Sequence, residues 1–149
     1  MTLAVPRSAP DTPLVRRLWP LLLLLAACEE PVELPFVLDR TAVCDDDAWT
    51  LTATADHPSG PSALDRMEVD VGLLFYDEIA DDVDLQYIQT LVLDPAEAPG
   101  SWESVLPTGT TALECGFDGE YQLVFVVIDT AGNQGVLGLR VDAQEARID

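Results

Sequence analysis

Apolar and polar residues alternate along several short runs of this chain, and clusters of turn-forming residues separate the runs. In "AWTLTATA" (48–55), Trp49, Leu51, Ala53 and Ala55 fall on one side of an extended backbone. Thr50, Thr52 and Thr54 fall on the other. "RMEVDVGLLFY" (66–76) sets Met67, Val69, Val71, Leu73 and Phe75 against Glu68, Asp70 and Gly72. A period of two suits a strand with one buried face; a helix repeats its faces every 3.6 residues. "ELPFVLD" (33–39) reads as a first, short strand, with Pro35 suited to an edge. "SWESVL" (101–106) and "GVLGLRVDA" (135–143) also read as strands, and "EYQLVFVVID" (120–129), the most apolar run, as the most central one. "DLQYIQTLVLD" (84–94) has strand composition, although Leu85, Ile88 and Leu91 would also suit a helix. "HPSGPS" (57–62), "PAEAPG" (95–100) and "TAGNQ" (130–134) carry the turn residues. Seven short strands with turns between them predict an all-β fold, an antiparallel β-sandwich.

The N-terminus has a different character. Arg16 and Arg17 precede an apolar run from Leu18 to Ala27. A basic segment, a short apolar core and small residues make the pattern of a secretory signal peptide. The run is shorter than the roughly 20 apolar residues that span a bilayer, and Pro20 interrupts it near its start. Leu25-Ala26-Ala27-Cys28 resembles the lipobox of bacterial lipoproteins. The resemblance implies cleavage before Cys28, a diacylglyceryl group on its sulfur and acylation of the new amino group. Residues 1–27 would then be a signal peptide and 28–33 a lipidated cysteine with a short tether, leaving 34–149 as the folded domain. Several acyl chains on one residue give stable anchoring where a single chain is marginal. Arg16-Arg17 also faintly resembles a twin-arginine export signal, but Val15 and Pro20 depart from that motif and favour general secretion. Glu29 stands where enteric lipoproteins kept in the inner membrane carry Asp, so the resemblance implies the outer membrane of a bacterial cell envelope.

The whole chain has 27 acidic and 7 basic side chains. Removing the leader takes away Asp11 and three arginines (Arg7, Arg16, Arg17). That leaves 26 acids against 4 arginines, a net charge of −22 with no lysine. This charge excludes nonspecific nucleic-acid binding and a polybasic membrane contact, and it favours solubility and divalent cations. Lipidation of Cys28 leaves Cys44 and Cys115 as a pair in an oxidising compartment, where a structural disulfide is expected. The alternative is two unpaired buried thiols.

"GEYQLVFVVIDTAGNQG" resembles the end of bacterial Ig-like and fibronectin-type domains, in which a Tyr-containing strand runs into an Asp-x-x-Gly-Asn turn. The resemblance covers the last quarter of the chain and implies an Ig-like sandwich rather than an activity. Cys115 precedes Tyr121, so the central inter-sheet bridge of antibody domains is missing. In an Ig-like sandwich the second and sixth strands run the same way in opposite sheets. Cys44 and Cys115, each just before one of them, would staple one end.

Alternating strand directions sort the loops. Loops near 39–47, 77–84 and 107–119 fall at the pole opposite the start of the first strand; 56–65, 94–100 and 129–134 fall at the starting pole. A tether from Cys28 to Leu34 spans about 20 Å when extended, which keeps the starting pole near the bilayer. Asp45, Asp46, Asp47, Asp77, Asp81, Asp82 and Asp84 gather at the opposite pole. Clustered carboxylates make Ca²⁺ a candidate ligand, since that ion takes 6–8 oxygens, although the spacing is not that of an EF-hand. The competing reading is a solvated acidic rim. Trp102, beside a loop, is a candidate for stacking on a sugar; core or rim packing competes. "DTAGN" (129–133) reads as a hairpin turn with Gly132 or Asn133 at positive φ. His57, the only histidine, reads as exposed in a loop without partners for zinc, and Ser59 lacks the surroundings of a serine nucleophile.

No catalytic centre is legible, and the expectation is a non-enzymatic protein. The leading reading is a lipid-anchored interaction or structural module, held to the membrane by its acyl chains and meeting an envelope protein or polymer. A carbohydrate- or Ca²⁺-dependent binding module is the alternative, and an envelope hydrolase the third reading.

Overall fold

The computed structural model describes residues 31–45 and 48–146. The leader, Cys28, Asp46 and Asp47 lie outside the described residues. Seven strands follow one another: β1 (Phe36–Cys44), β2 (Ala48–Asp56), β3 (Leu64–Asp77), β4 (Asp82–Val92), β5 (Ser101–Pro107), β6 (Glu120–Asp129) and β7 (Gln134–Asp142). They form two antiparallel sheets, ordered β1-β2-β5 and β4-β3-β6-β7. The strands belong to one compact unit that begins at Glu33.

The alternation read from sequence becomes the packing of this sandwich. Trp49, Leu51, Ala53 and Ala55 of β2 face Met67, Val69 and Val71 of β3 and Tyr121, Leu123, Phe125 and Val127 of β6 across a common core. Trp49 meets the Tyr121 ring edge-on, with centroids 6.1 Å apart. Burying such apolar surface is the main stabilising term of a domain this size.

Two expectations change in detail. β1 is not a short strand over 33–39: it runs to Cys44, because Thr41 to Cys44 pair with Thr52 to Trp49. Phe75 shares the inward parity of Met67 and Val71 but is 40% exposed, because β3 continues past Leu74, the last residue that β6 pairs. The segment 84–94 is a strand. Its helix-like spacing comes from a bulge: Val71 pairs with Gln89 and Gly72 with Tyr87, so Ile88 is the extra residue. The bulge puts Ile88 and Leu91, three residues apart, on the same inward face, against the core.

Candidate functional site

As the alternation of directions requires, the end of β1 at Cys44 and Asp45 and the connections 78–81 and 108–119 lie at one pole of the sandwich. The disulfide Cys44–Cys115 sits there, with Cα atoms 5.9 Å apart. It ties the end of β1 to the long connection 108–119. The Tyr121 hydroxyl holds the same connection, accepting the Glu114 N–H (3.1 Å) and donating to the Ala112 carbonyl (3.4 Å). Gln89 Oε1 accepts the Ala112 N–H (2.8 Å) from the other side.

The carboxylates of this pole do not converge. Asp45 Oδ1 accepts the Ala48 N–H (2.9 Å). Asp77 Oδ1 accepts from Ile79 (2.8 Å) and Ala80 (3.2 Å), closing the tip between β3 and β4. Asp81 accepts the Tyr76 hydroxyl. Asp82 and Asp84 each bond the N–H of the next residue, Val83 at 2.7 Å and Leu85 at 2.8 Å. Among the described residues, no three carboxylate, imidazole or thiol groups are placed to hold a metal ion. The Ca²⁺ candidates Asp45, Asp77, Asp81, Asp82 and Asp84 are therefore spread over local turn and strand bonds. Their companions Asp46 and Asp47 lie outside the described residues.

These bonds give the acids another use. Asp39 Oδ1 holds the Arg40 N–H (2.8 Å) on β1 just as Asp82 and Asp84 hold their neighbours on β4. Both are edge strands. Charged side chains that occupy edge donors discourage pairing with another chain.

Trp102 is not a ligand platform. It is 6% exposed and pairs with Ala53 on the inner face of its sheet. On β5 the parity is Trp102 and Ser104 inward, Glu103 and Val105 outward. A ring buried this far offers no face to a sugar.

At the other pole His57 is buried rather than exposed. Its Nδ1 accepts the Ser59 N–H (3.0 Å), which leaves Nε2 to face Asp129 Oδ2 at 3.4 Å. The Ser59 hydroxyl turns away to Glu33. Asp129 opens the turn into β7. Its Oδ1 accepts the N–H of Ala131 (2.9 Å) and of Asn133 (2.8 Å), and its Oδ2 accepts the Asn133 side-chain N–H (2.9 Å). Of the two residues the sequence offers for positive φ in this turn, Gly132 and Asn133, Gly132 takes it, at 87°. The Asn133 side chain, the two backbone donors and His57 together hold the Asp129 carboxyl below the usual carboxylate range, against the opposing effect of burial. A depressed carboxyl stabilises the fold at pH values above the unfolded pKa of about 3.9 and loses that contribution as pH falls through its folded value. Asp129→Asn is therefore expected to melt several degrees below the wild type at neutral pH. In a calorimetric series between pH 7 and pH 2, that gap should narrow below about pH 4.

No protein-family model and no curated protein matches the chain. Among the described residues, no helix is long and apolar enough to cross a membrane. The His57–Asp129 contact escaped the sequence reading because the two residues lie in separate turns, and only the folded pole brings them together. The tyrosine bonds to 108–119 were legible only as an unassigned Tyr at the start of a strand.

Proposed function

We propose that this chain is an exported bacterial lipoprotein whose β-sandwich serves as a non-catalytic interaction module on the cell envelope. The observation that carries the reading is the leader with its Leu25-Ala26-Ala27-Cys28 motif. It implies a diacylglyceryl thioether at Cys28 and an anchor close to the pole where β1 starts. The Ig-like part of the reading is supported by two features. The Tyr121 hydroxyl reaches back to backbone groups just upstream of its own strand, a device of Ig-like sandwiches. The turn Asp129–Asn133 has the bonds that its motif leads one to expect. The acidic connections lie at the pole away from the start of β1, where they are kept from anionic lipid and face possible partners. Acyl chains concentrate such a domain at a surface, so that modest contacts suffice for binding.

Mass spectrometry of the natively expressed protein tests the anchor. The expected N-terminal peptide begins at Cys28 and carries the mass of a diacylglyceryl group with an added acyl chain, and Cys28→Ser abolishes that modification. An unmodified Cys28 in the native protein overturns the reading.

A further inference from the structure

The two outer faces of the sandwich differ in chemistry. On the three-stranded sheet, Thr41, Thr50, Thr52 and Thr54 line the outer face, and Thr41 and Thr52 share a hydroxyl hydrogen bond (2.6 Å). That surface is mostly threonine, with Val43 and the exposed Val105 flanking Thr50 as its apolar residues. On the four-stranded sheet, the far half of the β3–β4 hairpin presents cross-strand pairs on the outer face: Tyr76 with Val83, Leu74 with Leu85, and Gly72 with Tyr87. Tyr76, Val83, Leu85 and Tyr87 are between 48% and 60% exposed. Gly72 lets this ladder lie flat: a Cβ there would stand 2.5 Å from Leu85 Cδ1. The ladder borders a hollow of about 410 Å³ whose lining includes Leu74, Tyr76, Val83 and Phe117 together with Asp118 and the Glu120–Arg140 ion pair.

Single exposed apolar residues are ordinary, but a contiguous ladder on one half of one face marks a contact surface. The charge around it selects the occupant. Asp77, Asp81, Asp82 and Asp84 surround the hairpin, and among the described residues none of them has an ion-pair partner. Of the described arginines, Arg40 is held by the Gly138 carbonyl and Arg66 by Asp65 and Glu68, away from the ladder; Arg140 lines the hollow but is paired there with Glu120, and Asp118 beside it adds a negative charge. An apolar strip beside hairpin carboxylates that no described arginine neutralises complements a surface of apolar side chains flanked by lysine or arginine. A second copy of this acidic chain, or an anionic membrane, would bring like charge against it. The carboxylates on the Val83 and Leu85 N–H groups also disfavour strand addition, so the contact is made through the face of the hairpin and not through its edge.

The geometry points to the outer face of the β3–β4 hairpin, built on Leu74, Tyr76, Val83, Leu85 and Tyr87, as the docking surface for a basic, apolar-centred protein segment. This inference rests on the reading of the domain as an interaction module, but not on lipidation at Cys28, which the mass measurement tests separately.

The test uses the natively expressed protein in a neutral detergent, with a nine-residue peptide of alternating leucine and lysine as probe. Wild type and Leu85→Ser/Tyr87→Ser are compared in the same micelles, so that partition of the peptide into detergent cancels. Both substituted positions are exposed, and a melting curve establishes that the variant is folded. The double variant is expected to bind at least tenfold more weakly than the wild type. Raising salt from 50 to 500 mM should weaken wild-type binding at least fivefold, and a leucine–glutamate peptide should not bind. Amide shifts in wild type should centre on residues 74–87. Equal binding by the double variant, or equal binding of the leucine–glutamate peptide, overturns the proposal. So does a dimer of the wild-type protein, or its adsorption to anionic vesicles, that the same double substitution abolishes, because the occupant is then a second copy or a lipid surface.

Discussion

Replacing Cys44 and Cys115 together by alanine is expected to lower the melting temperature by roughly 15 °C, the equivalent of about 4 kcal/mol for a domain of this size. The bond closes a loop with a sequence separation of 71. In the chain-entropy account, most of its effect lies in the unfolded state, which loses conformations when so long a loop is closed. Alanine is the appropriate replacement because Cys44 is fully buried, and a serine hydroxyl there would add a desolvation cost of its own. Calorimetry of the oxidised wild type against the double variant checks the result, and a reductant should bring the wild type close to the variant. The remaining ties on 108–119, from Tyr121 and Gln89, should keep the variant folded. A loss of only a degree or two would mean that the bridge restrains little that these bonds do not already hold.

Trp102→Ala is expected to cost about 3–5 kcal/mol, the range for deleting a large aromatic side chain from a packed core. A residue that stacks on a ligand at the surface would show the opposite pattern, with an unchanged melting temperature and lost binding. The expectation follows from the position of Trp102 on the inner face of β5, opposite Ala53, whose small side chain leaves room for the indole. Chemical denaturation with a fitted midpoint and slope reads the loss directly: the midpoint should fall while the slope stays within error. Trp102 lies at the start of β5, in the half of the sandwich away from the disulfide. The two losses should therefore add when the substitutions are combined. Their sum is a large share of the 5–15 kcal/mol typical of a whole domain.

The contrast between Trp102 and Phe75 explains what sequence reading can and cannot deliver. Both have inward parity on their strands. Trp102 is covered because β5 is paired along its whole length with β2 and faces the other sheet. Phe75 is half-exposed because β3 runs on past Leu74, where its pairing with β6 ends. Parity is a local property, read from every second residue; cover depends on how far the neighbouring strands extend. His57 illustrates the same limit. Its neighbours Pro58, Ser59 and Gly60 announce a loop, but its burial depends on Asp129, which another turn supplies.

Local chemistry written in the chain determined the all-β class, the number of strands, the turn at 129–133 and the candidate pairing of Cys44 with Cys115, but not the course of the first strand. Each of these depends on neighbours in sequence, on the pleat, or on the scarcity of partners. Tertiary structure alone decided which sheet β4 joins, where the bulge at Ile88 shifts its parity, and that the outer face of the β3–β4 hairpin keeps its apolar ladder in water. Those outcomes depend on relative strand lengths and on what packs across the sandwich, contacts between residues far apart in the chain that no period or motif records.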